Sequence, residues 1–195
     1  PCIRHISDVL PHIEGRMEFI VARKDGYDVI NYVVSTPETF ATMNDIGDAI
    51  RRECRGMIFD GHTGMIISRP YHKFFNAGEK METQPNLVAE KMQNVEYRLL
   101  HKMDGSMVRP FFVNDVLRWG TKMGITDTSL RAEEFIADND KYNDFAYSML
   151  DKGFTPIFEW ISPEDRIVLS YNDTSMLVLT AVRDMFTGNY IQDLA

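Results

Sequence analysis

The six residues His101 to Ser106 combine a lysine with a tight turn. Asp-Gly favours backbone conformations with positive φ, so Asp104-Gly105 predicts a turn directly after Lys102. A lysine amine becomes a nucleophile when it has lost its proton, which burial or neighbouring cations favour. Asp104 could accept hydrogen bonds or hold the water ligands of a metal. The alternative is a solvated lysine before an ordinary turn, which is how we interpret Lys24-Asp25-Gly26.

Three other segments carry groups suited to chemistry on a nucleotide. Residues 51–56, R-R-E-C-R-G, lead into a predicted strand, and residues 69–76, R-P-Y-H-K-F-F-N, place cations, aromatic rings and an amide on a loop. Glu159 lies between bulky strand residues in I-F-E-W. A buried glutamate without a partner would be costly, so either a ligand or a salt bridge is expected there.

Short strands and two helices would position these groups. Alternating apolar residues and turn signals predict strands over 17–23, 29–34, 54–60, 65–69, 95–101, 107–113, 116–121, 155–161, 166–171 and 176–183. Helices are predicted over 128–137, with Thr128 and Ser129 as candidate caps, and over 142–152, ending at Gly153. Strands with inserted helices, without regular β-α-β alternation, predict an α+β fold with mostly antiparallel sheets.

Composition limits the classes of protein to consider. The 195 residues suit one domain, and 44% apolar with 26% charged residues is typical of a globular chain. A net charge of −8 argues against a broad basic surface but leaves room for a local basic cleft. Two cysteines suit a reducing compartment, and no apolar run approaches the roughly 18 residues that cross a bilayer, so we expect a cytoplasmic protein without membrane partners.

The order of the motifs resembles that of the covalent nucleotidyltransferases, and is most similar to the type 1 RNA ligases of bacteriophages. The resemblance runs from about residue 19 to 190 and rests on E-C-R-G, R-P-x-x-K-F-F-N, K-x-D-G-S and F-E-x-x-x-P-x-x-R-I-V. It implies an adenylyltransferase (RNA ligase) domain over 1–195, with the ATP-grasp-like fold of that superfamily. It also implies ATP and Mg²⁺ (or Mn²⁺) as cofactors, RNA with 5′-phosphate and 3′-hydroxyl ends as partner, and the host cytoplasm as location if a phage encodes the chain.

The resemblance assigns roles to individual residues. Lys102 would attack the α-phosphate of ATP and carry AMP as a phosphoramidate, facing a pocket for a purine mononucleotide. Contacts to the nucleotide or the metal would come from Arg55, Lys73 with Phe75 and Asn76, His101, Asp104, Gly105, Lys122 and Glu159. Asp104 and Glu159 would hold the metal through waters, and Gly105 would permit close approach of the nucleotide.

Each assignment has a structural alternative. Arg55 could form a surface ion pair with Glu53, and Lys73 could extend from an aromatic plug. Glu159 could pair with Arg166, Lys122 could be a solvated lysine, and Phe74 is expected in the core.

The chain departs from the family pattern after Glu159. Neither an E-G-x-V strand nor a K-x-K segment follows it. We therefore expect this chain to be the front part of a longer protein. We also expect that this chain by itself is adenylylated poorly or not at all. A DNA ligase, a capping-type nucleotidyltransferase and a ligase-derived nucleic-acid-binding module without turnover remain open alternatives.

Overall fold

The computed structural model describes residues 1–165, 169 and 174–192. In this part of the chain, eight strands form two four-stranded antiparallel sheets, which confirms the α+β prediction. The first sheet has the order β1 (Phe19–Lys24), β2 (Tyr27–Tyr32), β3 (Arg55–Asp60) and β4 (Ile66–Ser68). The second has the order β6 (Val116–Gly120), β5 (Ser106–Val113), β7 (Phe154–Ile161) and β8 (Met176–Asp184).

Local turn chemistry forms the hairpins that the sequence predicts. Asp25-Gly26 closes β1 onto β2, with Gly26 at a φ of 79°. Asn114 and Asp115 close β5 onto β6 at φ values of 50° and 64°, a left-handed conformation that short polar side chains tolerate.

Five α-helices lie in the described ranges: α1 (Leu10–Ile13), α2 (Ile46–Glu53), α3 (Pro85–Asn94), α4 (Asp127–Ala137) and α5 (Asp140–Asp151). The last two confirm the predicted helices. The N-terminal cap of α4 differs from the prediction. The side chain of Thr126 accepts a hydrogen bond from the Ser129 amide, and the two residues form a capping box. None of these helices has the length and apolar character needed to cross a bilayer.

Two of the sequence-based strands require comment. The predicted strand over 95–101 is wrong, since α3 ends at Asn94 and the following residues up to Gly105 form no strand. Of the predicted strand over 166–171, only residue 169 lies within the described residues.

The strands bury side chains on both faces. The core between the sheets contains Tyr27, Val29, Ile58 and Phe111. The outer cores pack α1 and α2 against the first sheet and α4 and α5 against the second. The strands β3 and β7, which carry Arg55 and Glu159, are therefore held by packing on both of their faces.

A fully buried guanidinium joins the two sheets. Arg109 on β5 donates to the carbonyl oxygens of Gly56 on β3, of Gly120 at the end of β6 and of the following Thr121. Burial lowers the pKa of Arg109 to about 9. Lys122 follows directly after Thr121. Its backbone would lie 2.7 Å from a Cβ added to Gly56, so the two backbone segments pass very close to each other here.

A second buried network centres on the carboxylate of Glu53 at the end of α2. Arg69 donates to it at 3.2 Å and Arg183 on β8 at 3.0 Å, and the two guanidinium groups are almost fully buried. Burial alone would raise the pKa of Glu53, but the bonds and charges of Arg183 and Arg69 outweigh it and leave the pKa below its usual value.

We expect Glu53→Gln to lower the free energy of unfolding by about 3 kcal/mol, because two buried guanidinium groups lose their counter-charge. Glu18→Gln, which breaks the half-exposed pair with Arg16, is the matched control and should cost about 1 kcal/mol or less. Urea denaturation measures both values at pH 7. A depressed carboxyl pKa stabilises the fold above its unfolded pKa, so the Glu53 effect should shrink as pH falls through the ordinary carboxyl range. Equal costs for the two variants would contradict this account.

Candidate functional site

Lys102 and Glu159 come together because β5 pairs with β7. Lys102 is exposed, in the irregular segment that leads into β5, and Glu159 lies opposite Met107 in the sheet. The Glu159 carboxylate accepts a hydrogen bond from the Gly105 amide at 3.1 Å. The ammonium group of Lys102 is close enough to favour the charged form of Glu159 and so to lower its pKa.

The electrostatics of Glu159 are those of a half-buried carboxyl. Burial raises the pKa of Glu159 and the neighbouring Asp104 adds to the rise, while the Gly105 amide, Lys102 and Arg55 oppose it without cancelling it. A carboxyl with a raised pKa among charged groups is a common feature of functional sites.

Gly105 is required by the fold itself. A Cβ at this position would lie 2.3 Å from the carbonyl oxygen of Trp160 on β7. The fold thus gives its own reason for a glycine, since any side chain here would push β5 away from β7. The close approach of a nucleotide stays a prediction.

Three predicted cations lie over aromatic rings, and the charge of one of them, Arg55, acts on Glu159. The guanidinium of Arg55 lies 4.9 Å from the centre of the Phe74 ring. The ammonium groups of Lys73 and Lys122 lie 5.8 Å and 5.3 Å from the ring of Tyr32. A cation over a ring face is attracted by the negative potential of the ring, which helps to hold it in place.

The environment of Lys73 fits the aromatic alternative. Its side chain is only 14% exposed, and its ammonium also lies over Phe40 and, at 4.8 Å, over Phe75, with a Glu79 carboxylate oxygen 3.9 Å away. The structural alternative for Arg55, an ion pair with Glu53, is not formed, because the Glu53 carboxylate is engaged by Arg69 and Arg183.

The two phenylalanines of the K-F-F-N segment have opposite environments. Phe74 is 47% exposed, so the prediction that it lies in the core is wrong. Phe75 packs against the outer core beside the first sheet, and its ring meets that of Phe40 edge-on with ring centres 6.1 Å apart. On a loop without strand pairing, alternation alone could not indicate which ring turns inward.

Of the remaining predicted residues, His101 and Asn76 are exposed and Asp104 is half-buried. The backbone amide of Asn76 donates to a Glu79 carboxylate oxygen at 2.8 Å. A carboxylate oxygen of Asp104 accepts a bond from the Leu169 amide at 2.6 Å. The other alternative for Glu159, a pair with Arg166, lies outside the described residues.

The donors near Lys102 suit a hard divalent cation. Asp104 and Glu159 repel each other, and a cation between them would relieve that repulsion. In the described ranges no three His, Cys, Asp or Glu residues form a metal-sized cluster, so water would have to complete the coordination of Mg²⁺.

Four residues of this region were not among the sequence-based candidates: Glu53, Arg109, Tyr32 and Tyr71. Glu53 lies within E-C-R-G, which was a usable signal for its importance. Burial raises the pKa of Tyr71 and the charge of Glu159 adds to it, against opposing effects of Thr180 and Arg55. Only the fold shows that the Tyr71 ring lies near Glu159.

Comparison with known proteins adds an independent finding. The sequence model of a family described as RNA ligase matches residues 53–193. A putative RNA ligase of Thermovibrio ammonificans is 37% identical over 191 residues, covering 97% of this chain and 47% of that protein. RNA ligase 1 of bacteriophage TS2126 is 24% identical over 191 residues, covering 95% of this chain and 47% of that protein.

A third relative is a putative bifunctional polynucleotide kinase/RNA ligase of Autographa californica nuclear polyhedrosis virus. It is 25% identical over 155 residues, covering 71% of this chain and 22% of that protein. The chain thus spans about half the length, or less, of the curated relatives it matches.

We expect Glu159→Gln to raise the melting temperature at pH 7 by a few degrees. The amide oxygen can still accept the Gly105 bond, and the cost of burying a charge disappears. A raised carboxyl pKa disfavours the folded state above that pKa, so the gain should vanish as pH falls and the wild-type carboxyl takes up its proton. Thermal unfolding across this pH range measures the effect, with the exposed Glu134→Gln as control. A lower melting temperature at pH 7 would show that the charge of Glu159 stabilises the fold.

Proposed function

This chain belongs to the type 1, phage-like RNA ligase family, and we propose that it forms the part of an ATP-dependent RNA ligase in which Lys102 becomes adenylylated. The enzyme would join RNA 5′-phosphate and 3′-hydroxyl ends in the cytoplasm. The observation that carries the proposal is the hydrogen bond from the Gly105 amide to the Glu159 carboxylate where β5 pairs with β7, together with the charges of Lys102 and Arg55 that act on this carboxylate.

The first step is a displacement at phosphorus. The uncharged Nζ amine of Lys102 attacks the α-phosphorus of ATP and a P–N bond forms. The nitrogen gives up one proton to water, and the bond to the bridging oxygen breaks as pyrophosphate leaves. Such a step needs little covalent help from the protein, so positioning and neutralisation of charge dominate catalysis.

Two further displacements complete the proposed reaction. An oxygen of the RNA 5′-phosphate attacks the adenylyl phosphorus, and Lys102 leaves as the amine. The 3′-hydroxyl then attacks the 5′-phosphorus, loses its proton, and expels AMP as the strands are joined. The lysine is regenerated, so it carries AMP once per cycle.

The surrounding residues have distinct proposed roles. Arg55, Lys73 and Lys122 would balance the charge of the phosphates, and Phe75 holds the ammonium of Lys73. Glu159 would bind a ribose hydroxyl. The His101 backbone would contact adenine.

The metal site involves the two neighbouring carboxyl groups. Asp104 and Glu159 would hold Mg²⁺ or Mn²⁺ through waters. When bound, the ion would shield negative charge on the α-phosphate.

The test is covalent labelling with ATP that carries its label on the α-phosphate. We expect one adenylyl group on the wild-type chain, slowly formed and released by acid, and none on Lys102→Arg. The matched control is Lys24→Arg, because Lys24 is also exposed and also precedes Asp-Gly. It should label like the wild type. Intact mass is followed over long incubations, since weak labelling is expected.

Binding and chase measurements complete this test. Calorimetry should show ATP binding that Arg55→Ala and Lys73→Ala weaken about tenfold each and that Lys102→Arg leaves within a few-fold. RNA with a 5′-phosphate should remove the label, whereas RNA without it should not. Label that survives Lys102→Arg, or a wild-type chain that neither binds ATP nor takes up label, would overturn the proposal.

A further inference from the structure

A cleft of about 570 Å³ lies next to the candidate site and contains none of the predicted site residues. It separates the irregular segment before Lys102 from β8. Its lining residues are Tyr71, Glu96, Tyr97, Arg98, Leu100, Leu179, Thr180, Ala181, Val182, Tyr190, Ile191 and Gln192. The volume is within the range of about 300–1,000 Å³ typical of small-ligand sites.

Two connections place this cleft beside the reacting groups. Leu100 lines it and precedes Lys102 by two residues, so their Cα atoms are at most about 8 Å apart. Tyr71 also lines it, and Tyr71 lies within the electrostatic influence of Glu159 and Arg55. A ligand in the cleft would therefore lie close to Lys102 and to the charged groups Glu159 and Arg55.

One wall of the cleft is rigid and its rings are already engaged. Tyr71 stacks on Tyr190 with ring centres 5.9 Å apart and planes at 30°. The guanidinium of Arg183 lies 4.7 Å from the Tyr190 ring centre, and the Tyr190 hydroxyl bonds His72 at 2.8 Å.

The opposite wall offers a ring that can still take a partner. Tyr97 is 51% exposed and lies in the segment that forms no strand. A flat ligand could therefore stack on Tyr97 while the paired rings of Tyr71 and Tyr190 limit its position.

The charge of the cleft indicates which part of a nucleic acid fits it. Among the lining residues that the structure describes there is one cation, Arg98, and one carboxylate, Glu96, and the others are apolar or neutral. A triphosphate or a terminal 5′-phosphate carries several charges, and the cations that would match it gather around Tyr32 and Phe74 instead. A nucleotide at a 3′ end carries one phosphodiester charge, a base and a hydroxyl.

We propose that this cleft binds the 3′-terminal nucleotide of the RNA strand that supplies the attacking hydroxyl, with its base stacked on Tyr97 and its phosphodiester paired with Arg98. This inference rests on the proposed function. It adds a site for the acceptor strand next to the lysine that carries AMP.

The experiment measures binding of a short oligoribonucleotide with hydroxyl groups at both ends, by fluorescence anisotropy. Tyr97→Ala should weaken binding about tenfold, in line with the loss of one base–aromatic stack, and Tyr97→Phe should retain it. Arg98→Ala should weaken binding several-fold and reduce its salt dependence. Tyr147→Ala is the matched control, because Tyr147 is 49% exposed on α5 and lies outside this cleft, and it should change nothing.

Labelling of Lys102 by ATP is measured on the same variants and should be unchanged in all of them. If Tyr97→Ala weakens ATP binding or labelling and leaves RNA binding intact, the cleft holds the nucleotide cofactor and the inference is wrong. Equal losses in Tyr97→Ala and Tyr147→Ala, or no loss in either, would also overturn it. If RNA binding depends on Tyr97 while the wild type neither binds ATP nor takes up label, the cleft stands and the proposed adenylyl transfer fails.

Discussion

The carboxylate of Glu53 is the group on which the arrangement of the site depends. It lies at the end of α2, two residues before Arg55, and holds Arg69 and Arg183 in a buried network. Arg183 also donates to the carbonyl oxygen of Pro70, at the start of the loop that carries Lys73. One buried negative charge thus connects three segments that are distant in sequence. Without it, two guanidinium groups would be buried with carbonyl partners alone, which is strongly unfavourable.

Arg109 acts in a similar way at the other side of the site. It binds the carbonyl of Gly56, next to Arg55 in the first sheet, and those of Gly120 and Thr121, just before Lys122 at the end of β6 in the second. These bonds therefore bring the backbones of Arg55 and Lys122 close together. Backbone carbonyl groups compensate this buried cation only partly, as its lowered pKa indicates. Both networks bury guanidinium groups where apolar side chains would cost less to desolvate. Their effect is to fix the backbone segments that carry Arg55, Lys73 and Lys122.

The sequence predicted local features well and pairing between distant segments poorly. The turns at Asp25-Gly26 and Asn114-Asp115 follow from residue chemistry within four positions, and α4 and α5 follow from periodicity and capping. The alternating apolar residues of 95–101 suggested a strand, but a strand also needs a neighbour, which a pattern cannot supply. The helix α2 was missed because its last residues, R-R-E, were interpreted as part of a motif and its Gly47 lowers helix propensity.

The same distinction applies to the candidate site. Motif order identified the family, and the family match and the relatives confirm that identification. The partners of Glu53 and the inward turn of Phe75 rather than Phe74 depend on contacts across the fold. The roles assigned to Arg55, Lys73, Lys122 and the metal-holding carboxylates remain predictions.

The net charge of −8 also has a consequence for how such a protein would bind RNA. At ordinary salt, charges more than about 10 Å apart are largely screened, so the overall negative charge repels a distant strand only weakly. Attraction must then come from the few cations held over aromatic rings and from close contacts in the adjoining cleft. These groups occupy a small area, whereas the chain as a whole carries more acidic than basic residues. On the proposed function, this arrangement favours strand ends over continuous RNA, because an end places most of its contacts within that area.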